Sequence, residues 1–344
     1  PPPPRPTPNT GGIALFLAIA APLFIATLVA SFAPGLLTSL VPSIAEHLPG
    51  LQSQVPSLAI FLACLTALHI MGVIDDRKPL GPYLKLGIML LLSTVVVMFT
   101  DTRLFTALDT ITGSSIPSIA ITVLWLVVIT NAMNFMDNMD GLTAGVATIA
   151  GACFMAAALA HDKPQWFIAA CLALLVGACL GFLVFNFPLR RGSRASIFMG
   201  DGGSLVLGFT LAFLTVRTTY VEPATPGVQS GDWHGVLMPL LVMAVPLYDF
   251  ISVCIIRLKA GKSPFVGDLN HLSHRLVKRG LTKRDAVLVI YGLTAVTAIG
   301  GIALAGLKPW QAILVGVQML LALMVLALFE GRNELPHDES RLRR

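Results

Sequence analysis

The sequence predicts an all-α fold, a polytopic integral membrane helical bundle. Of its 344 residues, 55% are hydrophobic and only 12% are charged, and the mean hydropathy is +0.81. A soluble domain carries about 25% charged residues, so this composition excludes a cytosolic enzyme, a disordered tail and a secreted disulfide scaffold. Apolar runs of about 20 residues, the length that a membrane-crossing helix needs, follow one another along the chain.

Ten such runs predict ten transmembrane helices. We assign residues 1–330 to a single transmembrane domain with cytoplasmic loops, and residues 331–344 to a charged cytoplasmic tail. Any chemistry must then lie in the loops and at the helix ends. The runs lie near residues 13–32, 55–73, 83–100, 117–136, 141–160, 165–187, 203–217, 235–258, 286–306 and 310–329.

The basic residues predict which face of the bundle is cytoplasmic. If ten helices alternate in direction, four of the 23 lysines and arginines fall on one face, and the other 19 fall on the face that holds both termini. Cytoplasmic loops are enriched in Lys and Arg, so the second face is predicted to be cytoplasmic. We interpret the net charge of +5 as this topology signal, and expect no nucleic-acid partner. The four exceptions are Arg103, Lys163, Arg217 and Lys308.

Acidic residues point to a site on the same face. Asp75, Asp76, Asp137, Asp140 and Asp201 all lie at or beside the cytoplasmic ends of predicted helices. A carboxylate at membrane depth is costly and usually functional. The pattern therefore predicts one site, built by several loops, on the cytoplasmic face.

The first candidate group is the pair Asp75 and Asp76, at the end of an apolar run. Adjacent carboxylates attract a divalent cation or leave one of the two as a base, although such a pair in a loop is often merely solvated. Lys85, inside the next apolar run, is a buried cation that needs an anionic partner.

The second group is a polar stripe at the end of the fourth run. At 100° per residue, Asn131, Asn134, Asp137 and Asn138 fall within an arc of about 120°, and Asp140 follows. Hydrogen bonding between helices is the simpler explanation. Two aspartates and three asparagines in so short a segment exceed what helix packing requires.

The third group, Phe198–Ser204, is a glycine-rich turn that leads into the seventh run. Glycines let the backbone approach a ligand closely, and amides at a helix N-terminus favour phosphate. Mg²⁺ is typically held by one or two carboxylates together with substrate phosphates. Asp201, within this turn, is therefore a candidate magnesium ligand.

The fourth group lies in the long cytoplasmic loop at 259–285 and comprises His271, His274 and Arg275. The two histidines have the spacing of a zinc pair, but no third ligand lies nearby in the sequence. A basic cluster with histidines suits a diphosphate better. Contact with anionic lipid headgroups would explain the basic residues but not the paired histidines.

In this order and on one face, the four groups resemble the motifs of the polyprenyl-phosphate N-acetylhexosamine-1-phosphate transferases, a family that includes phospho-MurNAc-pentapeptide translocase. The resemblance covers nearly the whole chain, from residues 8–12 to residues 263–275. The family has eleven transmembrane helices, so the chain is expected to lack the first of them.

The resemblance implies a role for each candidate residue. The catalytic carboxylates would be Asp75, Asp76, Asp137 and Asp201, and Asp201 would bind Mg²⁺, with Mn²⁺ as the alternative metal. The implied substrate contacts are Phe198 and Asp140 to uracil, Asn134, Asp137 and Asn186 in the nucleotide site, Asp75, Asp76 and Lys85 at the lipid phosphate, and His271, His274 and Arg275 at the sugar nucleotide.

The implied reaction is transfer of an N-acetylhexosamine-1-phosphate, favoured as the N-acetylglucosamine compound, from a UDP-N-acetylhexosamine to polyprenyl (undecaprenyl) phosphate, releasing UMP. It would start a cell-envelope polysaccharide at the cytoplasmic face of the bacterial inner membrane. A basic insert at residues 190–194 favours the N-acetylglucosamine branch over the translocase. Two departures from the family motifs, Asn138 and Ser273, weaken the assignment of the sugar.

Two other classes of protein stay open at this point. A secondary transporter would also have intramembrane polar groups, but usually near the midplane and with internal repeats. An inactive scaffold would explain the two departures. The resemblance also leaves a homodimer open.

Overall fold

The structure is a computed structural model that describes residues 7–160, 164–188, 194–218, 234–264, 267–304 and 307–331. All regular structure in these residues is helical, as predicted, and a 3₁₀ helix, Pro42–Glu46, lies between α2 and α3. The α-helices are α1 (Gly11–Phe32), α2 (Pro34–Leu40), α3 (Leu48–Arg77), α4 (Pro82–Thr100), α5 (Ala107–Thr112), α6 (Ile116–Met136), α7 (Leu142–Ala160), α8 (Trp166–Asn186), α9 (Asp201–Thr218), α10 (His234–Val242), α11 (Ala244–Lys259), α12 (Leu272–Lys278), α13 (Lys283–Ala303) and α14 (Pro309–Gly331).

Within the described ranges, eight helices are long and apolar enough to cross a membrane: α1, α3, α4, α6, α7, α8, α13 and α14. The predicted class, a polytopic helical membrane bundle, is confirmed. The expected number of ten is reached only if the two remaining apolar runs are added, and these belong to α9 and to the pair α10 and α11.

The run at 235–258 was expected to be one helix and is two. α10 ends at Val242 and α11 begins at Ala244. Pro246 has no N–H to donate to the carbonyl of Val242, and its ring clashes with that carbonyl in a regular helix. α11, at the C-terminal end of the run, is therefore a separate helix.

α9 lies at the centre of the bundle. It packs against α1, α3, α6, α7 and α8, and every residue from 202 to 216 is buried. Because protein rather than lipid surrounds it, α9 tolerates polar side chains such as Thr215, which accepts a hydrogen bond from Trp125 Nε1 at 3.1 Å. The helices around α9 also fix the position of its first residue, Asp201.

Glycines allow α1 and α3 to touch the N-terminal end of α9. A Cβ atom on Gly72 would lie 2.6 Å from the Cα of Gly202, and one on Gly12 would lie 2.4 Å from the backbone N of Gly203. A side chain at either position would collide with backbone, so only glycine permits this approach.

Three predicted features lie outside the described residues. They are the charged tail beyond residue 331, the basic insert up to residue 193, and positions 265–266 of the loop at 259–285. The division of the chain into residues 1–330 and the tail stays a prediction.

We expect Gly72→Ala to lower the free energy of unfolding by about 1–3 kcal/mol, because the methyl group must push α3 away from α9. Thermal unfolding in detergent measures the change. Gly177→Ala in α8 is the matched control, since a Cβ there meets no atom within 4 Å. Equal stability of the two variants would contradict the close contact of α3 with α9.

Candidate active site

Asp201, the first residue of α9, lies where four helices meet. Asn134 in α6 donates its amide to Asp201 Oδ1 at 3.0 Å and to Ser204 Oγ at 2.9 Å. The Lys85 ammonium in α4 pairs with Asp201 Oδ2 and with Asp75 Oδ2 in α3, the latter at 2.9 Å. Lys85 therefore joins two carboxylates that are far apart in the sequence.

Asp76 caps α9 from the neighbouring helix. Its Oδ1 accepts a hydrogen bond from the backbone N of Asp201 at 2.9 Å, and its Oδ2 accepts one from Gly202 N at 3.2 Å. A carboxylate at a helix N-terminus satisfies amides that have no partner within the helix and interacts favourably with the helix dipole. The geometry thus gives Asp76 a positioning role, although its surface is exposed. Asp75 and Lys85 beside it are more buried, with 15% and 18% of the side chain exposed.

The turn before α9 is fixed by the N-terminal segment. Phe198 N donates to Pro8 O, and Gly11 N and Gly12 N donate to the carbonyls of Phe198 and Met199, each at 2.9 Å. These bonds order the segment at residues 8–12, which belongs to the family resemblance. The Phe198 side chain stays 44% exposed, which leaves its ring free to stack on a planar ligand.

The loop between α6 and α7 brings two further carboxylates to the site. Burial raises the pKa of Asp137 to about 7, with Asp201, Asp76 and Asp140 adding electrostatic repulsion. Asp140 Oδ2 accepts a hydrogen bond from Ala195 N at 3.2 Å. The described ion pairs do not include Asp137, so this side of the site has negative charge in excess.

Asn186 is buried and both ends of its amide bind backbone. Its Oδ1 accepts from Gly141 N at 2.6 Å, and its Nδ2 donates to Ile197 O at 2.8 Å. Tyr291 donates its hydroxyl to Gly141 O from the other side. Asn186 was expected to line the nucleotide site, and in the structure it joins the two loops that carry Asp140 and Phe198.

α12 carries the fourth predicted group. His271 Nδ1 lies 2.9 Å from Asp249 Oδ2 in α11, and Arg275 Nε donates to Glu330 Oε2 in α14 at 2.8 Å. The ring centroids of His271 and His274 are 6.5 Å apart. Two of the three predicted ligands are thus held by carboxylates of other helices.

His274 has a different environment. Burial lowers its pKa, and the neighbouring basic groups His271, Lys283 and Lys278 lower it further. The ring is therefore neutral at pH 7, able to donate from one nitrogen and to accept at the other.

The two residues that depart from the family motifs contact each other. Ser273 Oγ donates a hydrogen bond to Asn138 Oδ1, and Asn138 Nδ2 donates to Phe135 O at 2.8 Å. This contact holds α12 against the loop that carries Asp137 and Asp140. Through it, all four predicted groups belong to one connected site.

Comparison with known proteins identifies the family. The sequence model of glycosyl transferase family 4 matches residues 58–219. The chain is 33% identical over 338 residues to decaprenyl-phosphate N-acetylglucosaminephosphotransferase of Mycolicibacterium smegmatis, an alignment that covers 93% of this chain and 78% of the relative. The chain belongs to glycosyl transferase family 4.

Two further relatives of this family 4 member have lower identity. The probable undecaprenyl-phosphate N-acetylglucosaminyl 1-phosphate transferase of Bacillus subtilis is 28% identical, over 94% of this chain and 80% of the relative. Undecaprenyl-phosphate alpha-N-acetylglucosaminyl 1-phosphate transferase of Escherichia coli K12 is 27% identical, over 72% of this chain and 66% of the relative. The predicted resemblance is confirmed: this is a multi-pass membrane enzyme of the polyprenyl-phosphate N-acetylglucosamine-1-phosphate transferase family.

Sequence reasoning gave no role to two carboxylates that organise the site of this transferase. Asp249 and Glu330 hold residues of α12, yet neither stands in a motif. Each lies within or at the end of an apolar run, where a charge is costly. This position in the sequence is the signal that could have identified them.

We expect Asp137→Asn to stabilise the metal-free protein increasingly as the pH rises from 5 to 8. With a pKa near 7, Asp137 is neutral in the folded protein at pH 5, while the unfolded chain is already ionised. Stability is therefore lost as the pH rises towards 7, where the folded protein must bury the charge. The measurement is the difference in melting temperature between variant and wild type, and a difference independent of pH would contradict the prediction.

Proposed function

We propose that the protein transfers N-acetylglucosamine-1-phosphate from UDP-N-acetylglucosamine to a polyprenyl phosphate and releases UMP. The observation that carries this proposal is the cluster around Asp201, where carboxylates of α3 and α9, an amide of α6 and a lysine of α4 meet at one end of the bundle. The names of the relatives, which include both a polyprenyl phosphate and N-acetylglucosamine, support the choice of substrates.

The position of the cluster fits the two substrates. A polyprenyl chain is confined to the bilayer, whereas a UDP-sugar is a dianion confined to water, so the reaction needs a site at the membrane surface. Asp75 and Asn134 lie in the last turn of α3 and α6, and Asp201 opens α9. A transporter would be expected to bind its solute near the midplane instead.

In the proposed reaction, a lipid phosphate oxygen forms a bond to the β-phosphorus of the UDP-sugar. The bond from that phosphorus to the bridging oxygen breaks, and UMP leaves with the electron pair. A phosphate monoester has its second pKa near 6, so the nucleophile is largely ionised at pH 7 and needs no strong base. The protein must mainly position the two phosphates and offset their charge.

We propose Mg²⁺ as the cofactor, with Mn²⁺ as the alternative, and Asp201 and Asp137 as the residues that would hold it. The site fits such a cation because the charges that act on Asp137 are those of three carboxylates, Asp201, Asp76 and Asp140. Mg²⁺ commonly takes one or two carboxylates together with substrate phosphates. When bound, it would neutralise charge on the diphosphate of the sugar nucleotide.

Basic groups on two sides of the cluster would bind the phosphates. Lys85, between Asp75 and Asp201, is proposed to bind the lipid phosphate, because α4 faces the bilayer along much of its length. His274, with Lys278 and Lys283 beside it, is proposed to bind the diphosphate. Phe198 would stack on the uracil, with Asp140 beside it.

We propose that this site faces the cytoplasm from the bacterial inner membrane. The distribution of lysine and arginine supports this orientation, and the bacterial relatives support the membrane. The product would be the first lipid-linked intermediate of an envelope polysaccharide. Neither the relatives nor the contacts of this single chain support a homodimer, and the proposal concerns one chain.

The substrate is tested with purified protein, polyprenyl phosphate, Mg²⁺ and a panel of radiolabelled UDP-sugars, followed by lipid extraction. We expect label in the lipid fraction with UDP-N-acetylglucosamine and stoichiometric release of UMP. Transfer only from UDP-MurNAc-pentapeptide would assign the protein to the translocase branch instead. Solute uptake into proteoliposomes without UMP release would favour a transporter.

We expect Asp201→Asn to lower the rate of UMP release at least about 100-fold, as loss of a key electrostatic group in an active site does, while the protein stays folded in detergent. Asp101→Asn is the matched control, because this aspartate lies just beyond the other end of α4 and its side chain is 79% exposed. Undiminished Mg²⁺-dependent turnover by Asp201→Asn would remove the metal assignment.

A further inference from the structure

Asp249 is a carboxylate buried in a helix of the membrane bundle, with 2% of its surface exposed. Its Oδ2 lies 2.9 Å from His271 Nδ1, and its Oδ1 accepts from Leu272 N at 2.5 Å. A cap for the first turn of α12 needs only one oxygen. The second oxygen is directed at an imidazole ring. Burial of an ionisable group within a membrane bundle is costly, and such a residue usually has a function.

We propose that Asp249 is a positioning residue, which fixes the tautomer and orientation of His271 so that its Nε2 is presented to the sugar nucleotide. This inference rests on the proposed function. An ionised carboxylate only accepts hydrogen bonds, so Nδ1 carries the proton that Asp249 binds. When the ring carries this one proton, Nε2 is an acceptor.

The rest of the His271 ring is confined by packing. The ring is 7% exposed and lies edge-on to Phe135 in α6, with centroids 5.7 Å apart. Phe135 is itself fixed by Phe250, one residue beyond Asp249 in α11, at 5.2 Å. The ring is therefore held by α11 through a hydrogen bond and by α6 through an aromatic contact, and rotation about its side-chain bonds would break both.

α12 as a whole is anchored at three points along its length. Asp249 binds its first turn, Asn138 binds Ser273, and Arg275 is held by Glu330 at 2.8 Å and by Ser252 at 2.9 Å. The last two contacts hold the helix in place without touching the histidine rings. Asp249 is thus the anchor whose loss alters the hydrogen bond to the His271 ring.

Asp249→Asn separates the two roles of the carboxylate. The amide oxygen can still cap Leu272 N, but the amide N–H then faces His271 Nδ1. Nδ1 must become the acceptor, and the proton moves to Nε2. The variant therefore retains both hydrogen bonds and the fold, while the nitrogen presented to the substrate changes from acceptor to donor.

The first measurement needs no variant. ¹⁵N NMR of histidine-labelled wild-type protein in liposomes, with the signal of His271 assigned by its absence in His271→Gln, is expected to show a protonated Nδ1. In Asp249→Asn the same signal is expected to show a protonated Nε2. A wild-type ring protonated at Nε2 and not at Nδ1 would overturn the proposal, whether or not Asp249→Asn folds.

The second measurement is kinetic. Loss of a residue that orients another functional group typically costs 10–100-fold in activity, so we expect kcat of Asp249→Asn to fall by that factor with KM for the UDP-sugar nearly unchanged. Asp285→Asn, in the first turn of α13, is the matched control and should retain wild-type kcat. The double variant with His271→Gln should be no slower than His271→Gln alone.

Three outcomes would overturn the proposal: a wild-type kcat for Asp249→Asn, a rise in KM alone, or a full additional loss in the double variant. An absence of transferase activity in the wild type would contradict the proposed function instead. In that case the NMR result would still decide whether Asp249 sets the tautomer of His271.

Discussion

The site depends on the contact between the C-terminal end of α3 and the N-terminal end of α9. Gly72 lets the two backbones meet, and Asp76 then binds the first two amides of α9. With this contact in place, Asp75 projects from the last turn of α3 beside the first residue of α9, Asp201, and one lysine bridges both carboxylates. The interaction places a helix N-terminus, with its partial positive charge, among carboxylates that would otherwise repel one another.

The polar residues of the site fall into two groups according to their contacts. Asp76, Asn186, His271 and Arg275 are engaged with backbone or with carboxylates of other helices, and they hold loops in place. Asp137, His274 and Phe198 retain an ionisable or exposed group that is available to a ligand. In a bilayer every unpaired polar group is costly, which explains why a membrane enzyme uses so many polar side chains for structure around so few that contact substrate.

The sequence predicted the helical bundle and most of the residues that meet at the site. Asp75, Lys85 and Asp201 were each singled out by charge within or beside an apolar run, a signal that needs no knowledge of neighbours. The expectation that each apolar run forms one continuous helix did not hold at 235–258, because Pro246 interrupts a regular helix there. The capping role of Asp76 was also not predicted, since it requires a helix 125 residues away in the sequence.

Composition and periodicity alone determined that this chain is a membrane protein with its chemistry crowded at one face, because a bilayer allows few spanning folds and penalises every charge within it. Only the tertiary structure decided which polar residues are engaged with other helices and which keep a group available to a ligand. The distinction depends on partners from other helices, such as Asp249 for His271 and Glu330 for Arg275, and a one-dimensional pattern carries no information about which side chains lie within 3 Å of each other.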